Sequence, residues 1–313
     1  MRNLATLFIF NFFVISLFAQ FQDEEENSSS IFIGGLSPFI LDQGQVEVNN
    51  QSYLVSYRNI VNTSGRSGSI SSNIYRYTLF QNQTSVFYGF SDSKKWDLGF
   101  DLTYRKTRWD DAARVSPFKV FNGDEINYSG ISTLGAKVRF APFSSKPGLV
   151  FIAGMKFPMA NGNEQRRNLS AERIQFSLTG TYYQPISYDY SYFLQLGWNL
   201  QPAKTNSELG YFLPTAHNIS GGAYLTMNLW ERTLFFIPGL SYSGLYQHSV
   251  KSSKILQRSH AVLMDFIFQY QFSNAFSINL QGSYPLLFES HIPYVAFERT
   301  SYSAVALSGR MVF

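Results

Sequence analysis

Hydrophobic and polar residues alternate with a period of two along most of this chain. In KWDLGFDLTYRK, Trp96, Leu98, Phe100, Leu102 and Tyr104 fall on one side, and Asp97, Gly99, Asp101, Thr103 and Arg105 on the other. The pattern recurs in RIQFSLTGTYY (Ile174, Phe176 and Leu178 against Arg173, Gln175, Ser177 and Thr179) and in VLMDFIFQYQF (Val262, Met264, Phe266, Phe268 and Tyr270 against Asp265, Gln269 and Gln271). It is there again in FSINLQGSY and in the last segment, SYSAVALSGRMVF, where Val305, Leu307, Gly309, Met311 and Phe313 alternate with Ala304, Ala306, Ser308 and Arg310. A period of two is the pattern of a β-strand with one wet face and one apolar face.

About twelve such strands are expected, and the links between them alternate in kind. Short links fall near 91–95, 143–147, 186–189, 231–232 and 273–275, and long polar ones near 60–69, 109–128, 159–170, 201–216, 246–257 and 286–299. Strict alternation puts every tight turn at one end of the molecule and every long loop at the other. Greek-key sandwiches lack this rhythm, whereas antiparallel barrels of the outer membrane have short periplasmic turns and long external loops. The expected fold is therefore all-β, an antiparallel transmembrane β-barrel of about 12 strands. Hydrocarbon offers the backbone no hydrogen-bond partners, so a sheet that crosses it must close on itself.

Composition agrees with a lipid-facing surface. Of the 313 residues, 17% are aromatic and only 15% charged, against about 25% charged in soluble domains. Tyr and Trp near strand ends (Trp96, Tyr104, Tyr182, Tyr192, Trp198, Tyr284) suit the two interfacial girdles. The first nineteen residues, MRNLATLFIFNFFVISLFA, carry one Arg, an apolar stretch and a terminal Ala, the layout of a secretory signal peptide. The expected organisation is a signal peptide over 1–19, a periplasmic leader or lumen plug over 20–45, and the barrel over 46–313. Without Cys there are no disulfides. Removing Arg2 from the 25 basic residues leaves 24 against 21 acidic ones, scattered along the chain, so nucleic acid is not an expected partner.

The polar set of the strands supplies the candidate lumen: Asp97, Asp101, Arg105, Lys137, Arg139, Lys156, Arg173, Asp265 and Arg310. Two readings stay open. The charges line a pore and shape the field around a passing solute, or they pair across the barrel and plug it. Nucleophilic catalysis has weak support: His217, His248, His260 and His291 lie in or beside expected loops, and His–Ser neighbours in QHSVKSS and AHNISGG match no motif. Asp110 and Asp111 read as a solvated loop, and no two His share a ligand spacing. No enzyme, cofactor or metal site is expected. The expected role is an outer-membrane channel or transporter passing small solutes passively through a mixed-charge lumen. The alternative is a structural barrel whose external loops bind a partner.

Two resemblances sharpen this. The terminal Phe313 on an alternating strand with Met311, Leu307 and Val305 resembles the signal by which bacterial outer-membrane barrels are handed to their assembly machinery. Gly44, Gln45 and Val46, followed by Tyr88 and Gly89 and then Trp96, Leu98, Gly99 and Phe100, are similar to segments of a broad group of outer-membrane transporters assigned to a phenol-degradation pathway. That resemblance covers about a sixth of the chain. The first resemblance implies the barrel assembly machinery as a partner and outer-membrane lipid around the barrel; the second implies passive import of small-molecule solutes, aromatic compounds among them.

Overall fold

The structure, a computed structural model, describes residues 37–62, 72–91, 93, 95–110, 116–122, 127–143, 148–169, 172–206, 211–248, 254–290 and 295–313. The expected signal peptide, and the leader as far as residue 36, lie outside the described residues, as do Asp111 and His291.

Twelve strands form one closed barrel. They are β1 (Val46–Asn62), β2 (Ser72–Gly89), β3 (Trp96–Asp110), β4 (Asn127–Phe140), β5 (Leu149–Pro158), β6 (Gln175–Pro185), β7 (Tyr190–Gln201), β10 (Ala216–Trp230), β11 (Leu234–His248), β12 (Ile255–Ser273), β13 (Phe276–Ser290) and β14 (Val295–Val312). A small hairpin of β8 (Lys204–Asn206) and β9 (Tyr211–Leu213) stands in the β7–β10 loop. A 3-10 turn (Pro117–Phe121) lies in the β3–β4 loop, and one short helix, α1 (Asn163–Asn168), in the β5–β6 loop. Every barrel strand runs antiparallel to its neighbours, and β14 pairs with β1 from Glu47/Val312 upward to close the ring. The last residue completes the closure: Phe313 and Val46 each donate a backbone N–H to the other's carbonyl.

The alternation dictates the two surfaces. Along β3 the even positions from Trp96 to Leu102 are exposed and the odd ones, Asp97 to Thr103, are buried. Phe100, Leu134, Leu178, Leu196, Leu240, Phe268, Leu280 and Val305 are exposed hydrophobics of the outer wall. Such a belt is stable only against hydrocarbon. Among the expected girdle residues, Trp96 stacks on Phe140 at 4.0 Å and Tyr182 packs against Tyr192 at 5.9 Å, both near the turn end. Closed sheet, apolar belt and aromatic rims place the protein in the bacterial outer membrane. No helix among the described residues is long and apolar enough to cross a membrane; the strands do so.

The link rhythm holds, but three of the long links are shorter than expected: 63–71, 249–254 and 291–294. The strands overrun them, reaching 19 residues in β12 where nine to eleven suffice to cross the membrane. Above the membrane a strand loses its apolar face while keeping its backbone ladder, so the period of two fades there.

Candidate functional site: the lumen and its two closures

The lumen begins with the inward set of each strand. Near the periplasmic end, Arg139 of β4 bridges two carboxylates: its Nε donates to Asp97 Oδ2 at 2.6 Å and its Nη1 to Glu47 Oε1 at 3.0 Å. Arg310 of β14 donates from Nε to Glu47 Oε2 at 2.8 Å, and Asn49 donates to Glu47 Oε1. These charges come from β1, β3, β4 and β14, so the network ties the barrel seam to the opposite side of β2. The side chains of Glu47, Asp97 and Arg139 are fully buried. One layer higher, Asp101 pairs with Lys137 at 2.7 Å and Lys156 at 3.5 Å, and accepts a hydrogen bond from Ser85. On the other wall Asp265 accepts from Tyr224, Ser283 and Gln281.

The strand polarity therefore brings together Asp97, Asp101, Lys137, Arg139, Lys156, Asp265 and Arg310 on the inner wall. Arg105 also points inward, donating to Gln81 and to the carbonyl of Leu169. Arg173 stands apart: it precedes β6, and its guanidinium donates to the carbonyls of Pro202 and Pro214 at the base of the β7–β10 loop. Glu47, the hub of the network, was missed by sequence reasoning. The alternation of Val46 and Val48 with Glu47 and Asn49 could have found it.

A segment preceding β1 enters the barrel from the periplasmic end. Ser37, Pro38 and Leu41 are buried. Ile40 packs on Ala141, Val150 and Ile152, and the Phe39 ring meets Tyr183 edge-on at 5.5 Å. The Leu41 N–H is shared between both oxygens of Asp97, 3.2 Å from each. Residues 37–45 thus form a strap from β6 past β3 to β1. Two glycines make its docking possible. Gly44 takes the left-handed φ of +87° that turns the strap into β1, and Gly89 lies so close to it that a Cβ would stand 2.1 Å from the Asp42 carbonyl oxygen.

Around this strap the wall contributes its own filling. Phe193, Ile237, Ile267, Gln269, Val150 and Asn279 face inward and are at most 2% exposed. A cavity of about 130 Å³ remains beside Tyr183, between the β6–β7 and β10–β11 turns.

At the outer end the β5–β6 loop bends over the mouth. Thr107 donates to the Asn168 carbonyl, Tyr128 to Glu164, and Gln165 to the Ser129 carbonyl, while Leu169 is fully buried with Ala160. The loop is held to inward residues of β3 and β4.

The groups weighed for chemistry sit elsewhere. His217 and His248 face each other with Nε2 atoms 3.5 Å apart, and Trp198 donates to His217 Nδ1, on the outer wall near the loop end. His260 stands 3.5 Å from Glu289, and Asp110 pairs with Arg108. Among the described residues no three His, Asp or Glu side chains gather as a metal site.

No family model and no curated protein matches this sequence. Solved structures do match. The COG4313 outer membrane channel of Pseudomonas putida F1 superposes with a TM-score of 0.57 at 10% identity, over 93% of this chain and 100% of that one. The β domain of the Bordetella autotransporter BrkA gives 0.52 at 12% identity, over 87% of this chain and 100% of that one. At these identities the likeness is one of fold, the closed outer-membrane barrel.

Proposed function

We propose that the protein is an outer-membrane channel for passive passage of small solutes, closed in this conformation by the strap of residues 37–45. The observation that carries this reading is the nature of the closure. A ring of twelve strands is wider than the eight that wall side chains fill by themselves. Here the inner end is filled partly by a separate stretch of chain, joined to the wall through Ile40, Phe39, the Leu41 N–H on Asp97 and a backbone pair at Gly89, whose carbonyl accepts from the Gly44 N–H and whose N–H donates to the Gln45 carbonyl. Such contacts can be released without opening the barrel. The Pseudomonas barrel of similar fold is a channel, which agrees with this reading. The charges of both signs beneath the strap then shape the field a solute meets, with Asp97 exchanging its strap contact for water as the segment leaves.

The buried network of Glu47, Arg139, Asp97 and Arg310 favours a second reading, a barrel braced shut whose loops serve a partner. Liposome swelling separates the two. Proteoliposomes holding the chain without residues 20–45 are expected to swell in isosmotic arabinose several times faster than those holding the chain from residue 20 onward. Equal swelling rates, both at the level of empty liposomes, from protein shown to be folded by its heat-shifted gel mobility, would overturn the channel.

A further inference from the structure

The β6–β7 and β10–β11 turns stand side by side at the periplasmic end and are tied to each other. The Asn228 N–H donates to the Asp189 carbonyl at 2.9 Å, its Nδ2 donates to Asp189 Oδ1 at 3.2 Å, and its Oδ1 accepts the Arg232 N–H at 3.1 Å. Glu231 and Arg232 both take left-handed φ, 37° and 60°, at turn positions that Gly and Asn occupy with least strain. The turn thus carries a long cationic side chain where a smaller residue would fold more easily. Its guanidinium lies over the Tyr188 ring, 4.2 Å from the centroid.

The cavity of about 130 Å³ lies between these turns. Tyr183 and Phe235 close it on the lumen side, packed with Phe193, Tyr224, Ile237 and Ile267. On the other side its lining is the exposed turn residues Ser187, Tyr188 and Asp189, so entry is from the periplasm. One polar group in the lining has no part in holding the fold. Thr226 of β10 is 2% exposed, and its Oγ1 has no hydrogen-bond partner among the described residues. A buried hydroxyl left so carries a desolvation cost that a polar group of a ligand removes.

The chemistry of the lining narrows the ligand. One guanidinium, Arg232, and one carboxylate, Asp189, stand in it, so the formal charges cancel and favour a neutral guest. The rings of Tyr183 and Tyr188 offer faces to C–H bonds, while Thr226, Asp189 and Arg232 offer hydrogen bonds around them. A ring with an apolar C–H face and hydroxyls along its edge meets both demands. A purely apolar guest leaves Thr226 unpaired, and a charged one upsets the balance. As to size, an apolar cavity of roughly 150 Å³ holds a benzene ring. This one, open between the turns, takes a single six-membered ring with its outer edge protruding.

We propose that the cavity is a periplasmic sugar site that takes one neutral pyranose ring, supplied as a free monosaccharide or as the end of a glycan strand. The ring lies against Tyr188, whose orientation Arg232 fixes, and one of its hydroxyls pairs with Thr226. The site goes beyond the channel reading and does not depend on it, since neither departure of the strap nor an open lumen is needed to reach it.

Saturation-transfer NMR tests this on the chain from residue 20 onward, folded in a zwitterionic detergent so that no sugar headgroup competes. The probes are glucose, N-acetylglucosamine and the soluble linear tetramer of the latter, with acetate as the anionic control. Saturable transfer to sugar protons in the millimolar range is expected. Thr226→Val keeps the volume and removes the hydroxyl, so affinity should fall about fivefold, the worth of one hydrogen bond. Its thermal midpoint should not fall, because that hydroxyl pairs with nothing in the fold, and this separates a binding role from a structural one. Tyr188→Ala, on an exposed turn, should abolish transfer while heat-shifted gel mobility shows the barrel intact. Tighter binding of the tetramer than of its monomer assigns the site to a glycan end, and equal binding assigns it to the free sugar. No saturable transfer to any sugar overturns the site, as does transfer to acetate alone. Sugar binding that is the same in the parent, Thr226→Val and Tyr188→Ala overturns it too.

Discussion

Arg139 carries the most concentrated electrostatic load at the residue scale. Its guanidinium is the shared partner of Glu47 and Asp97, and all three side chains are out of contact with solvent. Removing one member of a buried ion network strands the other charges, which costs about 3–5 kcal/mol, far more than losing an exposed pair. Arg139→Met should therefore lower the midpoint of urea unfolding markedly. Replacing the pair by Arg139→Met with Asp97→Leu should recover part of the loss, because fewer charges remain buried without partners. The inward placement of Asp97, Asp101, Lys137, Arg139 and Arg310 was legible from the period of two alone, since one phase of each strand must face away from lipid. Which charge meets which was not legible, because register joins residues as distant as Glu47 and Arg310. The inward aromatics Tyr53, Tyr57, Tyr77 and Tyr302 were missed for a related reason: a ring suits a girdle as well as a lumen, and only the phase of a long strand tells them apart.

Elements were read correctly in kind and order, with errors of length. The first two strands show where the pattern fails. In the outward phase shared with Val48 and Val86, β1 carries Asn50 and Ser52, and β2 carries Asn82 and Thr84. Their side chains satisfy one another: Asn50 donates to Asn82 and Thr84, and Asn82 to Asn50 and Ser52. A polar ladder with its hydrogen bonds met internally is tolerated on a lipid face, and it erases the apolar half of the alternation. The strap was legible only as part of a leader or plug over 20–45, with its place left open. Its docking yields a specific prediction at Gly89. Gly89→Ala sets a methyl group against the Asp42 carbonyl and loosens the strap without touching the ion network, so protease cleavage within residues 37–45 should accelerate several-fold while the barrel core stays resistant. The closing strand yields another. Deleting Phe313 removes both reciprocal hydrogen bonds to Val46 together with the residue that resembles the assembly signal. Heat-modifiable barrel recovered from the outer membrane should fall several-fold, whereas refolding into detergent should be affected far less.

For the whole molecule, the barrel and its lumen fillings have separable roles. The wall is held by a ladder that closes on itself and by its fit to hydrocarbon. The strap and the β5–β6 loop lie on its inner surface, held by contacts separate from the ladder that closes the wall. The central claim is that the strap decides whether the lumen conducts. The most direct measurement is single-channel conductance in a planar bilayer of the chain from residue 20 onward carrying Ile40→Cys and Val150→Cys, residues of the one hydrophobic cluster that joins strap and wall. With the disulfide formed, the strap is tied down and the bilayer should stay silent. Reducing agent added to the same bilayer should bring stepwise openings that approach those of the chain without residues 20–45. Openings of the same size and frequency before and after reduction would contradict the claim and leave the strap a bystander.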